Sequence, residues 1–140
     1  MATIFTKIIE GDLPGQFVWQ DARAVAFMSI APLKTGHALV VPREEVDHWI
    51  DLEPALMQHL TAVAHEVGGA IGRAFRPVKV GMTILGLEVP HTHLHVVPIW
   101  SPFDLDFANA DHDARAEDIA RAAEKIRVEL RKAGCEAVAG

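Results

Sequence analysis

Residues 89–98 read VPHTHLHVVP. Alternate side chains of a β-strand point to opposite faces, so His91, His93 and His95 are predicted to project from one face of a strand. The apolar residues between them then face the other way and can bury against a core. Three ionisable rings in a row have no role in a purely structural strand. The stretch therefore predicts a core strand that carries a functional site.

Four further strands and two long helices are predicted around this segment. Short apolar runs that end at turn residues predict strands at 17–20, 24–30, 37–41, 78–85 and 93–99. Apolar residues at helical spacing predict helices from Pro54 to about residue 71 and at about 111–133, and either a short helical turn or an extended entry at 3–10. Strands lie before and after one long central helix without regular β-α-β alternation, which favours a mainly antiparallel five-stranded sheet of the α+β class. We expect one domain over residues 1–140, with its core at about 3–108.

The composition argues against several classes of protein. The chain has 13 Lys and Arg against 19 Asp and Glu, and this net charge of -6 disfavours binding to a nucleic-acid backbone. No apolar run approaches the roughly 18 residues of a membrane span, and the segment MATIFTKIIEGD lacks the features of a secretory signal. The single cysteine, Cys135, fits a reducing compartment. We therefore expect a cytoplasmic protein that binds neither nucleic acid nor membranes.

Two chemistries could use the row of histidines. A His-x-His pair on a strand can chelate zinc or iron, with a third ligand completing the site. Alternatively, a neutral imidazole can attack phosphorus when one ring nitrogen is held by an acceptor and the other is free. Residues four apart on a strand lie about 13 Å apart at Cα, which slightly disfavours one ion for all three rings. The remaining isolated histidines are assigned no role: His48, His59, His65 and His112.

The segment His91–Val97 resembles the signature of the histidine triad (HIT) superfamily, His-x-His-x-His followed by two apolar residues. Three further blocks match stretches of that family in the expected order: Ile4–Ile9, Ala26–Pro32 and Gly36–Pro42. The resemblance covers roughly residues 3–100 and implies the HIT-like fold. It also implies an enzyme that cleaves at the α-phosphorus of a nucleotide.

The resemblance assigns roles to four histidines. His93, the middle member of the triad, matches the nucleophile that forms a nucleotidyl-histidine intermediate. The backbone carbonyl of His91 would accept a hydrogen bond from the near ring nitrogen of His93 and fix its tautomer. His95 would contact the phosphate or the leaving-group oxygen. His37 matches an upstream histidine that packs against the triad.

The resemblance also implies how substrate is bound. Four apolar side chains match the nucleobase slot: Phe5, Ile8, Phe27 and Ile30. Backbone N–H groups around Glu88 and Val89 match those that bind phosphate oxygens. Ser29 stands where family members often have an Asp for the ribose hydroxyls, and Glu88 where phosphoramidases tend to have a small hydroxyl residue. A carboxylate there would repel phosphate unless it binds a cationic amine or points away.

Taken together, these matches imply a hydrolase of nucleoside phosphoramidates, such as AMP or GMP linked to an amine, that needs no metal or other cofactor. The alternatives are a dinucleoside polyphosphate hydrolase of the same family, a histidine-ligated metal protein, and a nucleotide-binding module without turnover. A sheet with open edges, together with the resemblance, predicts a homodimer.

Overall fold

The computed structural model describes residues 2–140. The strands are β1 (Phe17–Gln20), β2 (Ala24–Met28), β3 (Ala38–Pro42), β4 (Lys79–Thr83) and β5 (Leu94–Ile99). The helices are α1 (Ile4–Ile9), α2 (Pro54–Phe75) and α3 (Ala116–Lys132). No helix in this part of the chain is long and apolar enough to cross a bilayer. The strand order is β1-β2-β3-β5-β4 with every pair antiparallel, which confirms the predicted α+β class.

The sheet separates two apolar layers. On one face α2 and α3 pack over the main core, to which β5 contributes Leu94 and Val96. On the other face a smaller layer joins Phe5 of α1 to Leu39 of β3. Because side chains alternate along a strand, His95 projects to this second face, opposite the main core. The His95 ring therefore lies beside the smaller apolar layer.

Strand β5 begins one residue later than the sequence predicts. The Thr92 backbone N–H and hydroxyl both donate to the Val46 carbonyl, at 2.7 and 2.9 Å, instead of pairing with β3. This takes residues 91–93 out of the sheet, so that only His95 of the three histidines lies on a regular strand. The prediction of three rings in one row along a strand was therefore wrong in detail. The other strands differ from their predicted ranges by at most two residues at either end.

Helix α3 also begins later than predicted, at Ala116 instead of about residue 111. The Asp113 N–H donates to the Asp111 carboxylate at 3.0 Å, a local turn that competes with helical hydrogen bonding. The Asp111 N–H donates to the Pro32 carbonyl at 3.0 Å, which ties the segment to the loop between β2 and β3. This loop bears on the site because it leads directly to His37.

The two edges of the sheet differ in whether a further segment of the chain pairs with them. Along β1 the Gln20 N–H donates to the Ala137 carbonyl at 2.8 Å, and the Ala139 N–H donates to the Val18 carbonyl at 3.2 Å. The C-terminal tail therefore pairs with this edge. Within residues 2–140, β4 at the opposite edge pairs only with β5.

Candidate active site

His93 immediately precedes β5, and one of its ring nitrogens is fixed by a hydrogen bond. Its Nδ1 is 2.7 Å from the His91 carbonyl oxygen, and a carbonyl only accepts, so Nδ1 carries the proton. Nε2 is then the nitrogen with the free lone pair. The Phe5 ring packs edge-on against the imidazole, with centroids 4.7 Å apart. The residue is only 6% exposed, yet it borders a cavity, so its tautomer suits nucleophilic attack on a ligand held there.

His91 is fully buried and is not among the residues that line this cavity. Its Nε2–H donates to the Pro42 carbonyl at 2.8 Å, and its Nδ1 accepts from the Thr3 hydroxyl at 2.8 Å. Both ring nitrogens thus bind the protein itself. His91 holds His93 through its backbone carbonyl while its side chain joins α1 to the end of β3.

His37 and His95 form a hydrogen-bonded pair at the border of the cavity. The Leu33 backbone N–H donates to Nδ1 of His37 at 3.0 Å, so the proton of His37 is on Nε2. This Nε2–H donates to Nδ1 of His95 at 3.0 Å. Nδ1 of His95 is therefore an acceptor, and its proton must be on Nε2. The pair leaves His95 as a hydrogen-bond donor beside His93, whose ring centroid is 4.8 Å away.

Burial keeps these rings neutral. It lowers the pKa of His37 to about 4 and the pKa of His95 to about 3, and Coulombic repulsion from His93 adds to both shifts. Burial also lowers the pKa of His93, although the hydrogen bond to the His91 carbonyl opposes this. An uncharged imidazole keeps its lone pair. Near pH 7 the site therefore presents one nucleophilic nitrogen and one neutral N–H donor.

Helix α1 is attached to the triad through a short hydrogen-bond chain. Glu45 accepts from the Thr3 N–H at 2.7 Å and from the Thr6 hydroxyl at 2.7 Å. The hydrogen bond from the Thr3 N–H, with that from Thr6, lowers the pKa of Glu45. The Thr3 side chain caps the helix by accepting from the Thr6 N–H, and it also contacts His91. These bonds hold Phe5 against His93.

A cavity of about 510 Å³ opens beside His93, within the usual size range of small-molecule sites. His37, His93 and His95 border it. All seven residues predicted to bind substrate also line it: Phe5, Ile8, Phe27, Ser29, Ile30, Glu88 and Val89. The structure thus brings together every predicted site residue except the His91 side chain.

Three residues that line the cavity after β5 were not predicted from the sequence. Phe107 lies in a 3-10 turn after β5, and its ring packs edge-on against His95 with centroids 4.7 Å apart. Ala110 and His112 also line the cavity. The segment has no periodic pattern that would indicate a site, because it is positioned by turns such as the Asp106 side chain accepting from the Ala108 N–H at 2.9 Å.

The two residues that depart from the family pattern both face the cavity. Ser29 lies just beyond β2, and its hydroxyl accepts from the Ala31 N–H at 3.2 Å, so part of its hydrogen-bonding capacity serves its own loop. Glu88 is exposed in a loop that contains Gly86 with a φ of +73°. Its negative charge acts on His93, where it opposes the lowering of the pKa by burial.

The metal alternative requires rings that converge on one ion. Within residues 2–140, no three His, Cys, Asp or Glu side chains are placed to hold a metal ion. Nε2 of His91 donates to Pro42 and the His37–His95 pair is bonded to itself, so these rings are oriented by protein groups. The arrangement does not fit the three-histidine metal centre considered from the sequence.

The chain is similar to several known proteins of one family. Residues 10–100 match the HIT domain family. An uncharacterized HIT-like protein from Borreliella burgdorferi is 33% identical, covering 68% of this chain and 73% of its own. The adenosine 5'-monophosphoramidase hnt1 of Schizosaccharomyces pombe is 32% identical, covering 70% and 74%. A Zn-bound histidine triad family protein from Mycobacterium smegmatis has the same fold, with a TM-score of 0.81, 24% identity and 96% of each chain covered. The family match includes the triad and the strands that support it, and the chain therefore belongs to the HIT domain family.

Proposed function

We propose that this chain hydrolyses nucleoside phosphoramidates at the α-phosphorus through a covalent intermediate on His93. Members of the HIT family are typically nucleotide hydrolases, and one relative is named an adenosine 5'-monophosphoramidase. The observation that carries the proposal is the 2.7 Å contact between Nδ1 of His93 and the His91 carbonyl. It leaves Nε2 unprotonated at the border of the cavity.

In the first step, the Nε2 lone pair of His93 forms a bond to the α-phosphorus while the phosphorus–nitrogen bond of the substrate breaks. The amine departs with that electron pair and takes a proton from water. The imidazole becomes cationic, and its Nδ1–H remains bonded to the His91 carbonyl, which stabilises the positive charge. His95 donates its Nε2–H to a phosphoryl oxygen as charge develops there.

In the second step, water forms a bond to phosphorus while the bond between phosphorus and His93 breaks. The electron pair returns to Nε2, the proton of the attacking water goes to solvent, and the nucleoside monophosphate leaves. Dividing the displacement into two steps avoids direct attack of water on the stable substrate. Phe5, Ile8 and Phe27 supply an apolar slot for the base.

A dinucleoside polyphosphate could react through the same intermediate and is the second candidate within the family. Its leaving group carries additional negative charge, which the Glu88 carboxylate at the cavity would repel. An amine leaving group avoids this repulsion. The charge at Glu88 therefore favours phosphoramidates over polyphosphates.

The test is incubation with an adenosine phosphoramidate without added metal. We expect AMP to be released and His93→Ala to reduce kcat/KM by about 10⁴-fold or more, as removal of a nucleophile does. His65→Ala, which removes an exposed histidine of α2, is the matched control and should retain full activity. Denaturing mass spectrometry at alkaline pH should detect the nucleotidyl adduct.

Three results would count against the proposal. Full activity of His93→Ala would remove the nucleophile, and AMP binding without any turnover would favour a non-catalytic nucleotide-binding module. Faster hydrolysis of dinucleoside polyphosphates than of phosphoramidates would favour the second candidate.

For the assembly we propose a homodimer formed through β4. The C-terminal tail occupies the β1 edge, whereas β4 offers backbone N–H and carbonyl groups to a second strand. Met82 on this strand is 52% exposed and is not part of the cavity lining. A two-fold axis would pair the edge with its own copy and cover this side chain.

A further inference from the structure

The charge of the cavity is unusual for a site that binds a phosphorylated ligand. Of the described residues that line it, Glu88 is the only ionisable one apart from histidines, and no Lys or Arg is among them. Three of these histidines, His37, His93 and His95, are kept neutral by burial. The described walls therefore supply a negative charge without a lysine or arginine to balance it.

A nucleoside phosphoramidate brings its own negative charge at the phosphoryl group. Neutral donors such as the His95 Nε2–H can bind the phosphoryl oxygens, but they do not compensate Glu88. Glu88 is exposed at the border of the cavity, so solvent screens its charge in part, but the two like charges still repel each other. Favourable binding therefore calls for a positive charge on another part of the substrate.

We propose that Glu88 selects phosphoramidates whose leaving amine carries a second, protonated amino group. This inference rests on the proposed function, because it concerns the leaving group of that same reaction. Glu88 lies three residues before His91, and its field reaches His93, where the leaving amine would be displaced. A cation on the departing group would meet the carboxylate while the nucleobase occupies the slot lined by Phe5 and Phe27.

The neighbours of Glu88 suit an aliphatic spacer between the two amino groups. Leu85 and Leu87, close to Glu88 in the chain, also line the cavity and are 51% and 89% exposed. A short methylene chain could cover these side chains and gain from burying apolar surface. The expected leaving group is thus an aliphatic diamine or a side chain of similar form.

The test compares two AMP phosphoramidates of equal length, one made from 1,4-diaminobutane and one from pentylamine. We expect wild-type kcat/KM to favour the diamine compound by roughly fivefold, the effect of one partly exposed charge pair. Glu88→Gln should reduce this ratio to about one, and Glu88→Lys should invert it. Glu44→Gln, which neutralises an exposed carboxylate outside the cavity lining, should keep the wild-type ratio. Raising the salt concentration should lower the ratio only where Glu88 is present.

Binding of the same two compounds to His93→Asn, measured by calorimetry, separates this inference from the proposed function. Equal hydrolysis of both compounds by the wild type, with equal binding, overturns the role of Glu88 and leaves the phosphoramidase proposal intact. If neither compound is hydrolysed, the proposed function fails. The ratio of the two dissociation constants measured by calorimetry then decides the inference about Glu88. Tighter binding of the diamine compound that is lost in His93→Asn/Glu88→Gln supports it, and equal affinities overturn it.

Discussion

His37 and His95 are neutral and buried, and their lowered pKa values link the stability of the fold to pH. Histidines of the unfolded chain titrate near pH 6.5, whereas the folded pKa values are about 4 for His37 and about 3 for His95. The unfolded state therefore binds protons first as the pH falls below 6.5, and the stability present above that pH is lost progressively as the pH falls through 4 towards 3. We predict that the free energy of unfolding, measured with urea, falls from pH 7 to pH 5 and falls less steeply in His95→Gln.

The control for this pH dependence is His65→Gln, because His65 is exposed on α2 and belongs to no buried pair. Its urea midpoints should follow the wild-type pH slope. Identical slopes in the wild type and in His95→Gln would contradict the link between burial of His95 and acid sensitivity.

The residues of the site were easier to predict from the sequence than their partners. The spacing of the triad and the resemblance pointed to His93 and His95, but the direction of the His91 ring depends on Thr3 and Pro42, which lie far away along the chain. Phe107 escaped prediction for the same reason, since it reaches His95 through an irregular segment. Contacts that form only when distant segments meet leave no local pattern.

At the scale of elements, α1 is a short helix whose position depends on Thr3. The Thr3 hydroxyl caps the helix through the Thr6 N–H and also donates to Nδ1 of His91. We predict that Thr3→Val lowers the free energy of unfolding by about 1–2 kcal/mol, because the cap is lost and a buried ring nitrogen loses its donor. KM for the nucleotide should rise more than kcat falls, because α1 carries Phe5 and Ile8 of the cavity.

Thr61→Val is the matched control for this helix. Thr61 is exposed on α2, and its hydroxyl donates to the Gln58 carbonyl of the same helix at 2.8 Å. Its loss should change stability by no more than about 0.5 kcal/mol and leave KM unchanged. A destabilised Thr3→Val with wild-type KM would show that α1 does not position the cavity wall.

The order and type of the helices and strands could be predicted from the spacing of apolar residues. Where an element begins or ends depends instead on local hydrogen bonds that compete with those of the helix or the sheet. The apolar stripe of α2 and the mainly apolar run of β5 are long enough to define a helix and a strand. The start of α3 at Ala116 depended on the turn at Asp111, and the start of β5 at Leu94 depended on Thr92 bonding to Val46. Side-chain hydrogen bonds of this kind leave no periodic trace in the sequence.

At the scale of the whole molecule, the C-terminal tail pairs with the β1 edge of the sheet, and the proposed dimer would pair the β4 edge with a second copy. We predict that light scattering after size exclusion gives twice the 15.3 kDa chain mass. Met82→Arg should shift the molecule towards the monomer, because it puts charge on the side chain that the second copy would cover. Leu13→Arg, a substitution at a partly exposed residue before β1, should leave the dimer intact.

A wild-type monomer, or an intact dimer in Met82→Arg, would contradict an interface at the β4 edge. Retained phosphoramidase activity in a monomeric Met82→Arg would further indicate that each chain holds a complete site.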